Sequence, residues 1–359
     1  MSDSKTRVLI VDDSALVREM LTGILSADPR LEVVGTAPDP IIARDKIKAL
    51  SPDVLTLDVE MPRMNGIDFL ERIMRLRPMP VVMISTLTQE GADTTIRALE
   101  LGAFDYVAKP TQRLSETFDA LKTEIRDKVA AAAKSKVRAL PAKPKPAPAA
   151  QGPEASSDPS RYAHLDVIGL GASTGGVEAL GELLAALPKD APGVVLVQHL
   201  PGAYTARFAA RLAEQLGRPV SEASDGAVVV PGSVHIGRGE KHFEVAKGPD
   251  GKPVCRLVDG PRESGHLPAI DRLFASLAAF GPRASAAILT GMGRDGVAGL
   301  AKMRHAGART IAQDAATSVV YGMPRAAWEE GAAGRQLPLS RIAGALLDNA
   351  SGGEGGAGR

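Results

Sequence analysis

Short apolar runs recur along the N-terminal part of the chain, at residues 7–11, 31–37, 54–58, 81–85 and 104–108. Most are rich in β-branched residues and show little alternation of polar and apolar positions, as strands covered on both faces should. Between them, residues 15–25 and 67–76 space their apolar side chains at helical intervals. Strand and helix in turn predict a doubly wound, five-stranded parallel sheet, whose functional residues belong at the carboxyl ends of its strands. The pattern returns near residue 165. A strand runs into a glycine-rich turn, residues 177–187 read as a helix, and residues 193–197 and 286–290 read as further strands. A second α/β domain with a mostly parallel sheet is therefore expected.

Between these blocks the chain changes character. Residues 128–153 carry six basic side chains and no acidic one, with Pro141, Pro144, Pro146 and Pro148 closely spaced. Such proline spacing forbids helix and favours an extended, semi-rigid spacer. The tract has no aromatic residue on which bases could stack, so nucleic-acid binding is not expected of it. The glycines from Gly352 onward suggest a disordered tail. The expected organisation is a first domain at 1–127, a linker at 128–159, a second domain at 160–349 and a tail at 350–359.

A chain of 359 residues with 44% apolar side chains is long enough for two real cores. Its 43 basic and 42 acidic side chains create no global field for nucleic acid or an anionic membrane. The single cysteine, Cys255, excludes an intramolecular disulfide and fits a reducing compartment. Its apolar surroundings carry no motif that would make it catalytic. Val8-Leu9-Ile10-Val11 is too short for a signal peptide, and no run approaches the ~18 apolar residues of a membrane span. A cytoplasmic protein without membrane insertion is expected.

The strand ends carry the chemistry. The first predicted strand stops at Asp12-Asp13, the third at Asp58, the fourth at Ser85 and the fifth at Lys109. Three carboxylates converging on one sheet edge repel one another unless a cation neutralises them, and oxygen-only ligands suit Mg²⁺. A lysine and a hydroxyl on neighbouring strands could hold the oxygens of a phosphoryl group on Asp58. Val11-Asp12-Asp13-Ser14, the run from Leu57 to Gly66, and Ala108-Lys109-Pro110 resemble a response-regulator receiver domain. That resemblance implies phosphorylation of Asp58 by a histidine kinase. It also implies Mg²⁺ on Asp13, Asp58 and the Glu60 carbonyl, with Asp12 acting through water, Ser85 as the switch hydroxyl and Lys109 on the phosphate. Asn65 stands where many relatives have aspartate.

The second domain opens on Gly169-Leu170-Gly171-Ala172-Ser173-Thr174-Gly175-Gly176. Such a turn could cradle a dinucleotide, but the next strand ends in Gln198-His199 rather than in a ribose-binding acid. Alternatively, it places Ser173 on a sharp strand-to-helix elbow, as in many serine hydrolases. His199 ends the neighbouring strand, and Asp295 follows a later one in Gly291-Met292-Gly293-Arg294-Asp295-Gly296. Ser173, His199 and Asp295 then supply nucleophile, base and orienting carboxylate, and the glycines around Met292 free backbone amides to face an oxyanion. The order Ser, His, Asp differs from that of the α/β-hydrolases. His164, His235, His242 and His305 read as surface or packing residues, whereas His266 could line a substrate groove.

Gly171 to Gly176, Gln198-His199, Leu289 to Gly296 and Tyr321-Gly322-Met323-Pro324-Arg325 resemble the chemotaxis protein-glutamate methylesterase family, CheB. With the receiver and linker in front, the resemblance covers nearly the whole chain. It implies a phosphorylation-activated serine esterase that demethylates glutamate γ-methyl esters on chemoreceptors and also deamidates receptor glutamines. Ester hydrolysis itself would need no cofactor, and Met292, with Thr174, would stabilise the oxyanion. Departures from the family pattern at Leu267, Ala269 and Arg238 bear on the groove. Which receptors are substrates, which kinase is cognate, and the oligomeric state are not written in the sequence.

Overall fold

The computed structural model describes residues 5–61, 64–86, 89–109, 118–135 and 162–348. The chain falls into two compact units, Met1–Lys145 and Pro146–Arg359. The expected Pro-rich stretch from residue 136, the tail, Pro62-Arg63 and Pro110 lie outside the described residues.

The first unit alternates β1 (Thr6–Val11), α1 (Ala15–Ser26), β2 (Leu31–Ala37), α2 (Pro40–Leu50), β3 (Val54–Asp58), α3 (Gly66–Leu76), β4 (Val81–Ser85), α4 (Gln89–Glu100), β5 (Asp105–Ala108) and α5 (Phe118–Ala132). Its five strands are parallel in the order β2-β1-β3-β4-β5. The chain leaves β1 to one side for β2, then returns to the other for β3, so a crevice opens between the carboxyl ends of β1 and β3. Asp12, Asp13 and Asp58 stand at that crevice. β3 and β4 are buried along their whole length, Thr56, Asp58 and Ser85 included, and the rest of their residues are apolar. Asn65 caps α3, its side chain accepting a hydrogen bond from the Asp68 amide.

One boundary differs from expectation. The first residues assigned to the linker are the last turn of α5, which runs through Ala132. Alanine is the best helix former, and no proline interrupts this stretch. The Lys128 ammonium is 2.9 Å from Glu124 and 3.3 Å from Asp105, and lies 5.0 Å above the Tyr106 ring, tying the turn to the sheet.

The second unit contains β6 (Val167–Ala172), α6 (Gly176–Ala186), β7 (Gly193–Gln198), α7 (Gly202–Leu216), β8 (Val220–Glu222), β9 (Val234–Ile236), β10 (His242–Lys247), β11 (Pro253–Val258), α8 (Ile270–Leu277), β12 (Ala284–Ile288), α9 (Val297–His305), β13 (Arg309–Gln313), α10 (Met323–Glu329), β14 (Arg335–Leu337) and α11 (Leu339–Leu347). Seven strands pair in parallel in the order β14-β13-β12-β6-β7-β9-β8, and β10 and β11 form a separate antiparallel hairpin. The core holds Phe243 of the hairpin, Leu273, Phe274 and Leu277 of α8, and Val195, Val197 and Ile288 of the sheet. Strand β12 is paired only through Ile288, so Leu289 and Thr290, expected within it, continue past the paired register toward the site. Among the described residues no helix is long and apolar enough to cross a membrane.

Candidate functional sites

In the first unit, Asp12 and Asp58 are fully buried and Asp13 is exposed, yet one oxygen from each lies within 4.8 Å of the others. The Lys109 ammonium sits 2.7 Å from Asp58 Oδ2 and 3.6 Å from Asp12 Oδ2. The Ser14 amide donates to Asp12 Oδ1, and the Glu60 amide donates to Asp58 Oδ1 at 3.2 Å. Burial raises the Asp58 pKa to about 6, and the Asp12 charge adds to that rise while Lys109 opposes it. Asp12 is raised by burial too. Lys109 is lowered by burial but raised further by Asp58, Asp12 and Asp13, and its net shift is upward. Asp12 Oδ2 is buried and accepts no hydrogen bond. A cluster of hard oxygen donors with one buried oxygen left over fits a small divalent cation such as Mg²⁺.

Ser85 lies one strand over. Its hydroxyl accepts from Thr95 Oγ1 at 3.0 Å and donates to the Thr86 carbonyl at 3.2 Å. The Lys109 amide donates to the Ser85 carbonyl, so both residues share the edge that carries Asp58.

The second unit gathers its chemistry at the ends of its three central strands. Ala172 pairs with Gln198 in the β6–β7 ladder, so Ser173 and His199 are the next residues out on adjacent strands. The His199 amide donates to the Ala172 carbonyl and the Ser173 amide to the Thr290 carbonyl, which draws in the end of β12. At the elbow the Gly176 amide returns to the Ser173 carbonyl at 2.7 Å, and Gly175 adopts φ +75°, which a side chain would resist. Gln198 Nε2 donates to the same Ser173 carbonyl at 2.9 Å.

His199 Nε2 and Asp295 Oδ2 are 2.8 Å apart. Asp295 is buried at the N-terminus of α8, where the Ile270 amide donates to Oδ2 at 2.8 Å and the Asp271 amide to Oδ1 at 3.0 Å. Burial alone would raise the Asp295 pKa. The hydrogen bond and charge of His199 and the two amides outweigh it, and the carboxyl is held below its ordinary value. A carboxylate aimed at helix amides also gains from the helix dipole. With Nε2–H given to Asp295, the lone pair belongs to Nδ1, which is buried and has no hydrogen-bond partner among the described residues.

His266 lies on this rim. Its ring stacks on that of His199 with centroids 3.6 Å apart and planes 6° from parallel. Met292 follows Gly291, whose amide donates to Val320 O and whose carbonyl accepts from the Met323 amide. A Cβ added to Gly291 would lie 2.8 Å from Ser173 Cβ, so only glycine lets the Met292 segment approach the serine this closely. Thr174 is buried beneath the elbow.

The other histidines stand apart from Ser173. His242 is buried, accepts from the Ala269 amide at 3.2 Å and donates to Pro261 O at 2.8 Å. His235 is buried against Ser233, while His164 and His305 bond backbone carbonyls. Burial pushes the Cys255 thiol up to about 12, where it is inert. Ala269 occupies the N-cap position of α8 and offers no side-chain cap; Asp295 supplies that function. Arg238 is exposed. Gln198 and Thr290 enter the sequence reading only as members of the family motifs, without the hydrogen bonds that give them their parts, and His242 is the packing residue expected of it. Asp271 left one sign: an acid in a helix's first turn.

A receiver-type acidic crevice in one unit and a serine elbow beside a His–Asp pair in the other define a response regulator joined to an α/β serine-hydrolase-like domain. Residues 8–121 match the response regulator receiver domain family and residues 168–346 match the CheB methylesterase family. A protein-glutamate methylesterase/protein-glutamine glutaminase of Caulobacter vibrioides is 52% identical, covering 97% of this chain and 99% of that protein. One of the same description from Xanthomonas campestris pv. campestris is 51% identical, covering 96% of this chain and 97% of that protein. Among solved structures, the Thermotoga maritima CheB methylesterase catalytic domain is 35% identical with a TM-score of 0.49, covering 51% of this chain and 97% of that one. The chain belongs to the CheB methylesterase family.

Proposed function

We infer that this chain is a phosphorylation-regulated protein-glutamate methylesterase, and that Ser173, His199 and Asp295 carry out the hydrolysis. The observation that supports it most directly is the His199–Asp295 pair, which leaves Nδ1 free to accept a proton beside the Ser173 elbow. Ser173 Oγ attacks the carbonyl carbon of a glutamate γ-methyl ester as its proton passes to His199 Nδ1. Asp295 stabilises the imidazolium through Nε2–H, and the Met292 amide, with Thr174, faces the oxyanion. Collapse of the tetrahedral species breaks the bond to the methoxy oxygen, which leaves as methanol with the His199 proton. Water then attacks the acyl-serine, gives its proton to Nδ1, and restores the hydroxyl as the glutamate departs. A receptor glutamine follows the same course and releases ammonia, the glutaminase reaction. The substrates are the cytoplasmic methylated helices of chemoreceptors, which places the enzyme in the cytoplasm. His266, stacked on His199, lines the groove they enter.

Control resides in the acidic crevice. Asp58 is the phosphoacceptor and a histidine kinase the donor. Asp12, Asp13, Asp58 and the Glu60 carbonyl are the groups that would hold Mg²⁺, which supplies charge neutralisation and polarises the incoming phosphoryl group. Lys109 and Ser85 receive the phosphoryl oxygens.

Methanol release from methylated receptor membranes tests the esterase. Ser173→Ala and His199→Ala should each fall to the residual ~10³–10⁴-fold over water typical of a broken triad, and their combination should be no worse than either. Near-normal turnover by Ser173→Ala would reject the nucleophile.

A further inference from the structure

We propose that Thr290 is a positioning residue for this esterase: its hydroxyl brackets the Ser173 elbow to the Gly291–Met292 segment and so sets the gap that the ester carbonyl enters. The proposal rests on the assignment of Ser173 as nucleophile and the Met292 amide as oxyanion donor.

Thr290 is fully buried, and each of its polar groups is engaged. Its carbonyl accepts from the Ser173 amide at 3.0 Å. Its hydroxyl accepts from the Val320 amide at 2.9 Å and donates to the Thr174 carbonyl at 2.9 Å. A hydroxyl has one proton. Because the Val320 amide can only donate, that proton is directed to Thr174, whose carbonyl is much nearer than Val320 O at 3.4 Å. The Thr290 amide donates to Gln313 Oε1 at 2.8 Å, and Gln313 Nε2 is anchored on the Thr317 carbonyl at 2.8 Å. One residue thus touches two positions of the elbow and the 317–320 loop. That loop in turn grips the oxyanion segment, since Gly291 donates to Val320 O at 3.1 Å. The nucleophile and its oxyanion donor lie on different strand ends, and the Thr290 side chain is the bracket across them.

Valine matches threonine in shape but loses both hydroxyl bonds, whereas serine keeps them. Small displacements between reacting groups can reduce rate by up to ~10²-fold. Thr290→Val should lower kcat by about 10–100-fold, with KM for methylated receptor within about twofold, and should slow acylation by a fluorophosphonate probe by a similar factor. The pH profile should keep its shape, because His199 and Asp295 are untouched. Thr290→Ser should restore most of the rate. All rates are expressed per site titrated by the probe, so misfolded enzyme is not counted. If Thr290→Val fails to fold, Thr290→Ser against Thr290→Cys, which differ by one atom, puts the same question. An unchanged kcat per titrated site in Thr290→Val, or in Thr290→Cys where that comparison is used, overturns the bracket. So does a serine variant as slow as the valine or cysteine one. A wild-type enzyme that the probe does not label at Ser173 overturns the underlying assignment instead, and the bracket with it.

Discussion

Asp58 is a carboxylate whose ionised form the fold penalises through burial and the charge of Asp12, and only partly rescues through Lys109. Its pKa of about 6 lies above the ordinary 3.8, so between these values the folded state holds more protons than the unfolded one. Asp58 therefore contributes stability that is present below about pH 4 and is lost as pH rises toward about 6. In chelator, unfolding of the receiver transition should show that decline, and Asp58→Asn should lessen it and be the more stable form at neutral pH. Urea unfolding from pH 4 to 7 measures both, and an unsloped wild-type curve would contradict the account. Asp12, Asp58, Ser173 and His199 were legible because each terminates a short apolar run, and strand termini of a parallel sheet share one edge. Thr290 and Gln198 were not, because the same residue types satisfy backbone groups in any protein. The part played by Thr290 depends on β12 lying beside β6, a pairing across more than a hundred residues that no local pattern encodes.

Helices α8 and α9 begin without side-chain caps of their own, with Ala269 and Gly296 at their N-cap positions. Each is capped by an acid associated with the other. Asp295, just ahead of α9, accepts from the first two amides of α8, and Asp271, in the first turn of α8, accepts from the Gly299 amide of α9 at 2.7 Å. Removing such a cap costs about 0.5–2 kcal/mol. Asp271→Ala should lose that much in urea unfolding of the second unit. It should also lower the esterase rate, because the amides that steer Asp295 belong to the helix it anchors. Full stability in this variant would show the cap to be idle. Strands β1 to β7 and helices α1, α3 and α6 were apparent from the apolar patterning, and the parallel character of both sheets was expected from it. The β10–β11 hairpin and the role of α8 were not, since a half-buried hairpin and a buried turn entering a helix present no distinctive spacing. The linker expected from residue 128 starts later, because the alanines before the first proline still favour helix.

Across the whole molecule, two parallel sheets put the proposed phosphoacceptor and the proposed nucleophile on their carboxyl edges, and regulation as proposed requires the state of one to bias the other. A tenfold rise in turnover corresponds to only ~1.4 kcal/mol, which a few charge-assisted hydrogen bonds to a phosphoryl group can supply. Acetyl phosphate with Mg²⁺ should therefore raise methanol release by the full chain and leave Asp58→Asn unresponsive. Equal stimulation of the two would remove Asp58 from control. The reciprocal capping of α8 and α9 has a different consequence, for reading genomes. A descendant that abandoned hydrolysis could shed Ser173 at little structural penalty, but α8 would still depend on Asp295 for its N-terminal cap. Selection for a folded domain would preserve that aspartate long after its chemistry had lapsed. In judging which members of such a lineage remain enzymes, the serine is the informative letter and the aspartate is not.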